Sequence, residues 1–79
     1  MLIQIQYFAQ LRSLGGPDLV ELDEGTTVEG LLEKLYRQNP PLELWDKHLL
    51  VAAGNEWVQR DHVIQMGDLI SLMPPVQGG

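Results

Sequence analysis

Hydrophobic and polar residues alternate at the start of the chain. Ile3, Ile5 and Tyr7 interleave with Gln4, Gln6 and Phe8, the two-residue period of a strand with one buried face. Gly15-Gly16-Pro17-Asp18 is turn chemistry, and Leu19 to Leu22 reads as the returning strand of a hairpin. The period then lengthens. Val28, Leu31, Leu32 and Leu35 fall at i, i+3, i+4 and i+7 and predict a helix over 27–38. Thr26 and Glu29 have capping-box spacing at its start, and Pro40-Pro41 ends it by withholding N–H donors. Residues Leu42 to Lys47 read as a connection whose Leu44 and Trp45 tuck back under the helix. Leu49 to Ala53 is an apolar run too short for a helix, Gly54-Asn55-Glu56 a turn, and Trp57-Val58 a brief strand. Gly67-Asp68 turns the chain into a last strand, Leu69 to Met73.

The predicted order is β-β-α-β-β-β in one α+β domain. A helix crossover lets the first and last strands pair in parallel, with the helix covering one face of a mixed sheet. At 79 residues there is room for one small core. Periodicity does not say which strands are neighbours.

Composition narrows the classes of function. The chain is 44% hydrophobic and 20% charged, which excludes a disordered segment, and no apolar run approaches the ~20 residues a bilayer needs. No secretory signal pattern stands at the N-terminus, so a cytoplasmic location and no membrane partner are expected. Cysteine is absent, which removes disulfides, thiolate metal sites and a cysteine nucleophile together. Eleven acids against five Lys and Arg give a net charge of −6, unfavourable for binding nucleic acid. Asp18, Glu21, Asp23, Glu24, Glu29 and Glu33 crowd into one base-free stretch. A solvated face explains them more simply than a surface steered towards a basic partner.

Catalytic constellations are missing from the pattern. His48 and His62 lack the spacing of a metal pair, and Ser13 and Ser71 lack nucleophile-elbow glycines. Asp61, His62 and Asp68 can be written as an acid–base set, but three polar residues around a turn are commonplace. The C-terminal stretch is the unusual one, because no charged side chain follows Asp68. Pro74-Pro75 favours extended backbone, and Pro74 to Gly79 can reach roughly 20 Å. Gly78 and Gly79 have no side chains, so they fit a channel too narrow for other residues. A terminal carboxylate becomes electrophilic once adenylated, and in a chain without cysteine it is the place to carry sulfur covalently.

These residues resemble a known family. Tyr7-Phe8-Ala9-Gln10-Leu11-Arg12, Ala53 to Val58 with Asn55, and Gly67-Asp68 followed by Pro74-Pro75-Val76-Gln77-Gly78-Gly79 are similar to segments of the small subunits of molybdopterin synthase. These are sulfur carriers with a ubiquitin-like β-grasp fold. Met73 stands where that family often has an aromatic, and Gly54 where valine is common. The resemblance implies a β-grasp domain over 1–73 and an extended tail over 74–79. It implies no permanently bound cofactor, no metal and no catalytic residue on this chain. It further implies a cycle in which an E1-like enzyme adenylates Gly79 with ATP and a sulfur donor protein converts it to a thiocarboxylate. Pro74, Pro75, Val76, Gln77 and Gly78 then enter the large synthase subunit, and sulfur passes to precursor Z for the molybdenum cofactor. Phe8 and Met73 are expected to meet on the outward sheet face at the root of the tail, with Trp57 extending the patch. Arg12 is expected at the same partner interface. Two alternatives use the same tail, a protein modifier conjugated through Gly79 and a thiamin-pathway sulfur carrier. A binding module with an incidental tail is a third.

Overall fold

The computed structural model describes residues 1–75. Strands β1 (Leu2–Tyr7), β2 (Leu19–Glu21), β3 (Leu50–Ala53), β4 (Glu56–Trp57) and β5 (Leu69–Met73) form one sheet in the order β2-β1-β5-β3-β4. Helix α1 (Val28–Gln38) crosses between β2 and β3. β1 and β5 run parallel, with Gln4 opposite Leu69 and Tyr7 opposite Leu72. Every other pairing is antiparallel. This is the mixed sheet with one main helix that the period pattern predicts.

Alternation decides what is buried. Ile3, Ile5, Val20, Val51, Ile70 and Leu72 point from the sheet into a core closed by Val28, Leu31, Leu32 and Leu35 of α1. All four helix residues are fully buried. Burying a leucine-sized side chain stabilises by roughly 1.5–3 kcal/mol, so this single apolar layer carries most of the fold.

Three local expectations are corrected. The connection after α1 is a 3-10 helix, Pro40–His48. Three residues per turn put Leu42 and Trp45 on one side. Leu42 is buried and Trp45 packs on the core, but Leu44 points away and is 88% exposed. The helix cap is Thr27 instead of Thr26, and its Oγ1 accepts from the Gly30 N–H at 3.2 Å. Segment 60–64 causes the shift. The Glu29 N–H donates to the Arg60 carbonyl (2.9 Å) and the Val28 N–H to the His62 carbonyl (2.9 Å). The Glu29 carboxylate meets the Arg60 guanidinium at 3.2 Å, so Glu29 has no part in a capping box. Thr26 Oγ1 donates to the Asp23 carbonyl at 2.6 Å. A further 3-10 segment, Ala9–Leu14, lies between β1 and β2, where the pattern signals no element.

The six crowded acids are all exposed, as a solvated face requires. Among the described residues no helix is long and apolar enough to cross a membrane.

Candidate functional site: an uncharged trough at the root of the C-terminal segment

Among the described residues the sheet face turned away from α1 has no second layer. Its central row follows from register. Gln6 on β1 is opposite Ser71 on β5, Ser71 is opposite Ala52 on β3, and Ala52 is opposite Trp57 on β4. Ser71 and Ala52 are small, so the middle of the row is low and the aromatic end stands high. The result is a trough of about 350 Å³ lined by Gln6, Phe8, Ala52, Gly54, Asn55, Trp57, Leu69, Ser71 and Met73. None of these nine residues is charged, in a chain of net charge −6.

Phe8, Trp57 and Met73 therefore line one trough, with Phe8 and Met73 on the neighbouring strand paths where parity puts them and Trp57 across it on β4. Trp57 is 64% exposed and Phe8 37%. Arg12 is exposed on the 3-10 segment and is not among the lining residues. β5 ends at Met73 and the chain passes directly into Pro74 and Pro75, both half-buried. Val76, Gln77, Gly78 and Gly79 lie outside the described residues.

Sequence reasoning missed the floor of the trough. Ser71 is 5% exposed, hemmed in by its neighbours Gln6 and Ala52, and its hydroxyl donates to Gln6 Oε1 at 3.4 Å. The available signal was parity, which places Ser71 with Met73 on the outward face. The depression itself depends on β3 lying beside β5, a pairing that parity does not reveal.

Local bonds brace the trough from behind. The Phe8 N–H donates to the Leu72 carbonyl at 3.1 Å, carrying the β1–β5 ladder one residue past Tyr7. The Tyr7 hydroxyl donates to the Pro17 carbonyl at 2.8 Å. Burial, with the Asp18 carboxylate nearby, pushes this phenol up to about 12, so it stays a neutral donor. Gly16 lets the two approach, since a Cβ there would lie 2.5 Å from the Tyr7 oxygen.

Among the described residues Asp61, His62 and Asp68 do not assemble into an acid–base set. His62 Nε2 lies 3.6 Å from Asp68 Oδ2, beyond hydrogen-bond reach, and that carboxylate oxygen accepts from the Gln65 N–H at 2.9 Å. Asp61 is exposed beside them. Among the described residues no group of three or more His, Cys, Asp or Glu is placed to hold a metal ion.

The sequence profile of the ThiS family matches residues 5–79. The chain belongs to the ThiS family. Within that family it is 37% identical over 81 aligned positions to the molybdopterin synthase sulfur carrier subunit of Escherichia coli strain K12, with 99% of this chain and 100% of that one covered. It belongs with the molybdopterin synthase sulfur carrier subunits, non-catalytic proteins of molybdenum cofactor biosynthesis. Among solved structures, small archaeal modifier protein 1 of Haloferax volcanii superposes with a TM-score of 0.81 at 27% identity, covering 95% of this chain and 98% of that one. A protein–protein complex of subunits 1 and 2 of the molybdopterin-converting factor of Helicobacter pylori 26695 contains a chain that matches with a TM-score of 0.68 at 20% identity, fully covered on both sides. That likeness shows the fold alone. The ubiquitin-like β-grasp architecture of this ThiS-family chain is thus reached from the sheet order and from the superpositions alike.

Proposed function

We propose that residues 1–73 are a scaffold and residues 74–79 the working part, with the Gly79 carboxylate as the group that carries sulfur. A carboxylate oxygen attacks the α-phosphorus of ATP on an E1-like activating enzyme, releasing pyrophosphate and leaving an acyl-adenylate. A sulfide equivalent from a donor protein then displaces AMP, and the terminus becomes a thiocarboxylate. Pro74, Pro75, Val76, Gln77 and Gly78 carry it into the large synthase subunit. There its sulfur bonds to precursor Z, water cleaves the acyl–sulfur bond, and the terminus returns to a carboxylate. Each loaded chain holds one sulfur, so a dithiolene takes two loadings. The cycle runs in the cytoplasm, and ATP is consumed by the activating enzyme without staying on this chain.

The observation that supports this reading best is continuity. The strand that ends in Met73, a wall of the uncharged trough, runs straight into Pro74-Pro75. A partner covering Phe8, Trp57 and Met73 is thereby positioned to receive the tail. Arg12 is the polar contact at the edge of the same interface. Large, partly exposed aromatic groups supply most of the affinity in interfaces of this kind.

Intact mass after incubation with ATP, an E1-like enzyme and a sulfur source is the direct test. The expected product gains the mass difference of one sulfur for one oxygen, located in the C-terminal peptide, and a chain lacking Gly79 gains nothing. No adenylate and no sulfur on the full chain would sink the reading. A second reading, a protein modifier, draws on the Haloferax volcanii neighbour and its name, and conjugates joined through Gly79 to lysines would favour it. A thiamin-pathway carrier shares the tail chemistry, but the 37% identical relative is a molybdopterin synthase subunit.

A further inference from the structure

Ala9 has φ of 53°, and among the described residues no other non-glycine has positive φ. Left-handed backbone brings an L-residue's Cβ against its own carbonyl, and glycine relieves that at once. Ala9 is also exposed, so burial of its methyl does not offset the strain. Such a residue persists only where its surroundings over-determine it. Here the surroundings are two fixed points. On one side the Phe8 N–H is held by the Leu72 carbonyl at 3.1 Å. On the other, Leu11 is fully buried and its N–H donates to the Phe8 carbonyl at 3.1 Å. The strand has to become a 3-10 turn within one residue, and that residue is Ala9.

We infer that Ala9 is a positioning residue for partner binding, a strained corner that holds Phe8 on the wall of the trough beside Met73. A glycine at the corner would satisfy the same turn, but it would also open many other backbone angles to Phe8's attachment. The alanine methyl removes most of those angles, so Phe8 is presented already ordered and less freedom is lost when a partner covers it. The inference rests on the proposed role of the trough as the surface for the large synthase subunit.

The test separates corner from surface. Ala9→Gly, Ala9→Asn and Phe8→Ala are titrated against the isolated large subunit, and each free variant is melted. Ala9→Gly relieves strain but loosens the unfolded chain, so its midpoint should stay within about 5 °C of the parent. Its affinity should fall about tenfold, the cost of ordering roughly one residue's backbone on binding. Asparagine tolerates left-handed backbone without glycine's freedom, and Ala9→Asn should bind within about threefold of the parent. If Phe8→Ala weakens binding and Ala9→Gly does not, the corner has no positioning role and the interface reading stands. If neither variant weakens binding, the trough is not the docking surface and both ideas fail. If Ala9→Gly loses affinity only alongside a large drop in midpoint, or if Ala9→Asn is as weak as glycine, presentation of Phe8 is not what the corner supplies.

Discussion

The two faces of the sheet are built from alternate residues of the same strands, yet they have little else in common. The inner face is a continuous apolar layer under α1, whose Val28, Leu31, Leu32 and Leu35 are fully buried. The outer face has small residues at its centre and partly exposed Phe8, Trp57 and Met73 around them, with no layer above among the described residues. A side chain facing inward is held by neighbours within the chain. One facing outward has no such neighbours above it among the described residues. On the proposed reading, stability and recognition are thus separated by strand parity, and a substitution one residue along a strand changes which property it damages.

The largest effect should come from the inner face. Leu32 is fully buried in the core, and Leu32→Ala should cost about 2–5 kcal/mol through lost burial and the cavity left behind. A chain of this size has roughly 4–12 kcal/mol in total, so denaturant titration should show a greatly lowered midpoint. A cost under about 1 kcal/mol would mean that the inner layer is not the main support. Trp57→Ala is its counterpart outside. With Trp57 64% exposed, stability should move by less than about 0.5 kcal/mol. Affinity for the large subunit should fall by about 2 kcal/mol, or roughly thirtyfold. An outer-face variant that unfolds the chain, or an inner-face variant that spares the fold and loses the partner, breaks the division.

How much of this was legible in the sequence depends on the range of the interaction involved. The periods of β1 and α1 were readable because each element must lay one apolar side on the core, and residues 27–38 foretell Val28–Gln38 closely. Nothing comparable marks Ala9–Leu14, where Leu11 alone is buried and no period exists. Leu44 and Trp45 look alike in the sequence, because adjacent apolar residues are told apart only by the pitch of the connection, here a 3-10 helix. The cap moved from Thr26 to Thr27 because segment 60–64, some thirty residues away in the chain, takes the first helical N–H groups. Phe8 and Met73 were found as walls of the trough by parity plus one supposed pairing. Its floor, Ser71 beside Ala52, needed a second pairing that no local signal contains. Arg12 entered through family resemblance, and no contact in the trough accounts for it.

A smaller effect is expected behind the trough. A Cβ at Gly16 would lie 2.5 Å from the Tyr7 oxygen and 2.7 Å from its Cζ. Gly16→Ala should therefore displace the ring and break the bond to the Pro17 carbonyl, at about 1–2 kcal/mol. Tyr7 belongs to the inward set of β1 and packs on the core. The loss should appear in the unfolding midpoint, with partner affinity within about twofold of the parent. A large loss of affinity at unchanged stability would show that Tyr7 controls the outer face too.

The smallest effect is electrostatic and lies on the helix side. The Asp46 carboxylate accepts from the Tyr36 hydroxyl and from Arg60 Nη1 at 3.0 Å, linking α1, the second 3-10 helix and the segment after β4. The Tyr36 hydrogen bond holds this carboxyl below its ordinary 3.8; burial opposes it, and the Arg60 guanidinium adds to the lowering. A carboxyl whose folded pKa is depressed stabilises the fold above its unfolded pKa, and that contribution is lost as pH falls through the folded value. Asp46→Asn removes the ionisable group but leaves the Arg60 Nη2 bond to the residue 46 carbonyl, 2.6 Å. Asp46 is 40% exposed, so at neutral pH the variant should be weaker by only about 0.5–1 kcal/mol. The gap between parent and variant should narrow below pH 3.8 as the parent's carboxylate takes up its proton. Denaturant midpoints at several acidic pH values measure this directly. A constant gap down to low pH would mean that the carboxylate's charge adds nothing to the link. Partner affinity at neutral pH should be unchanged, because the residue lies on the side of the sheet that the trough does not use.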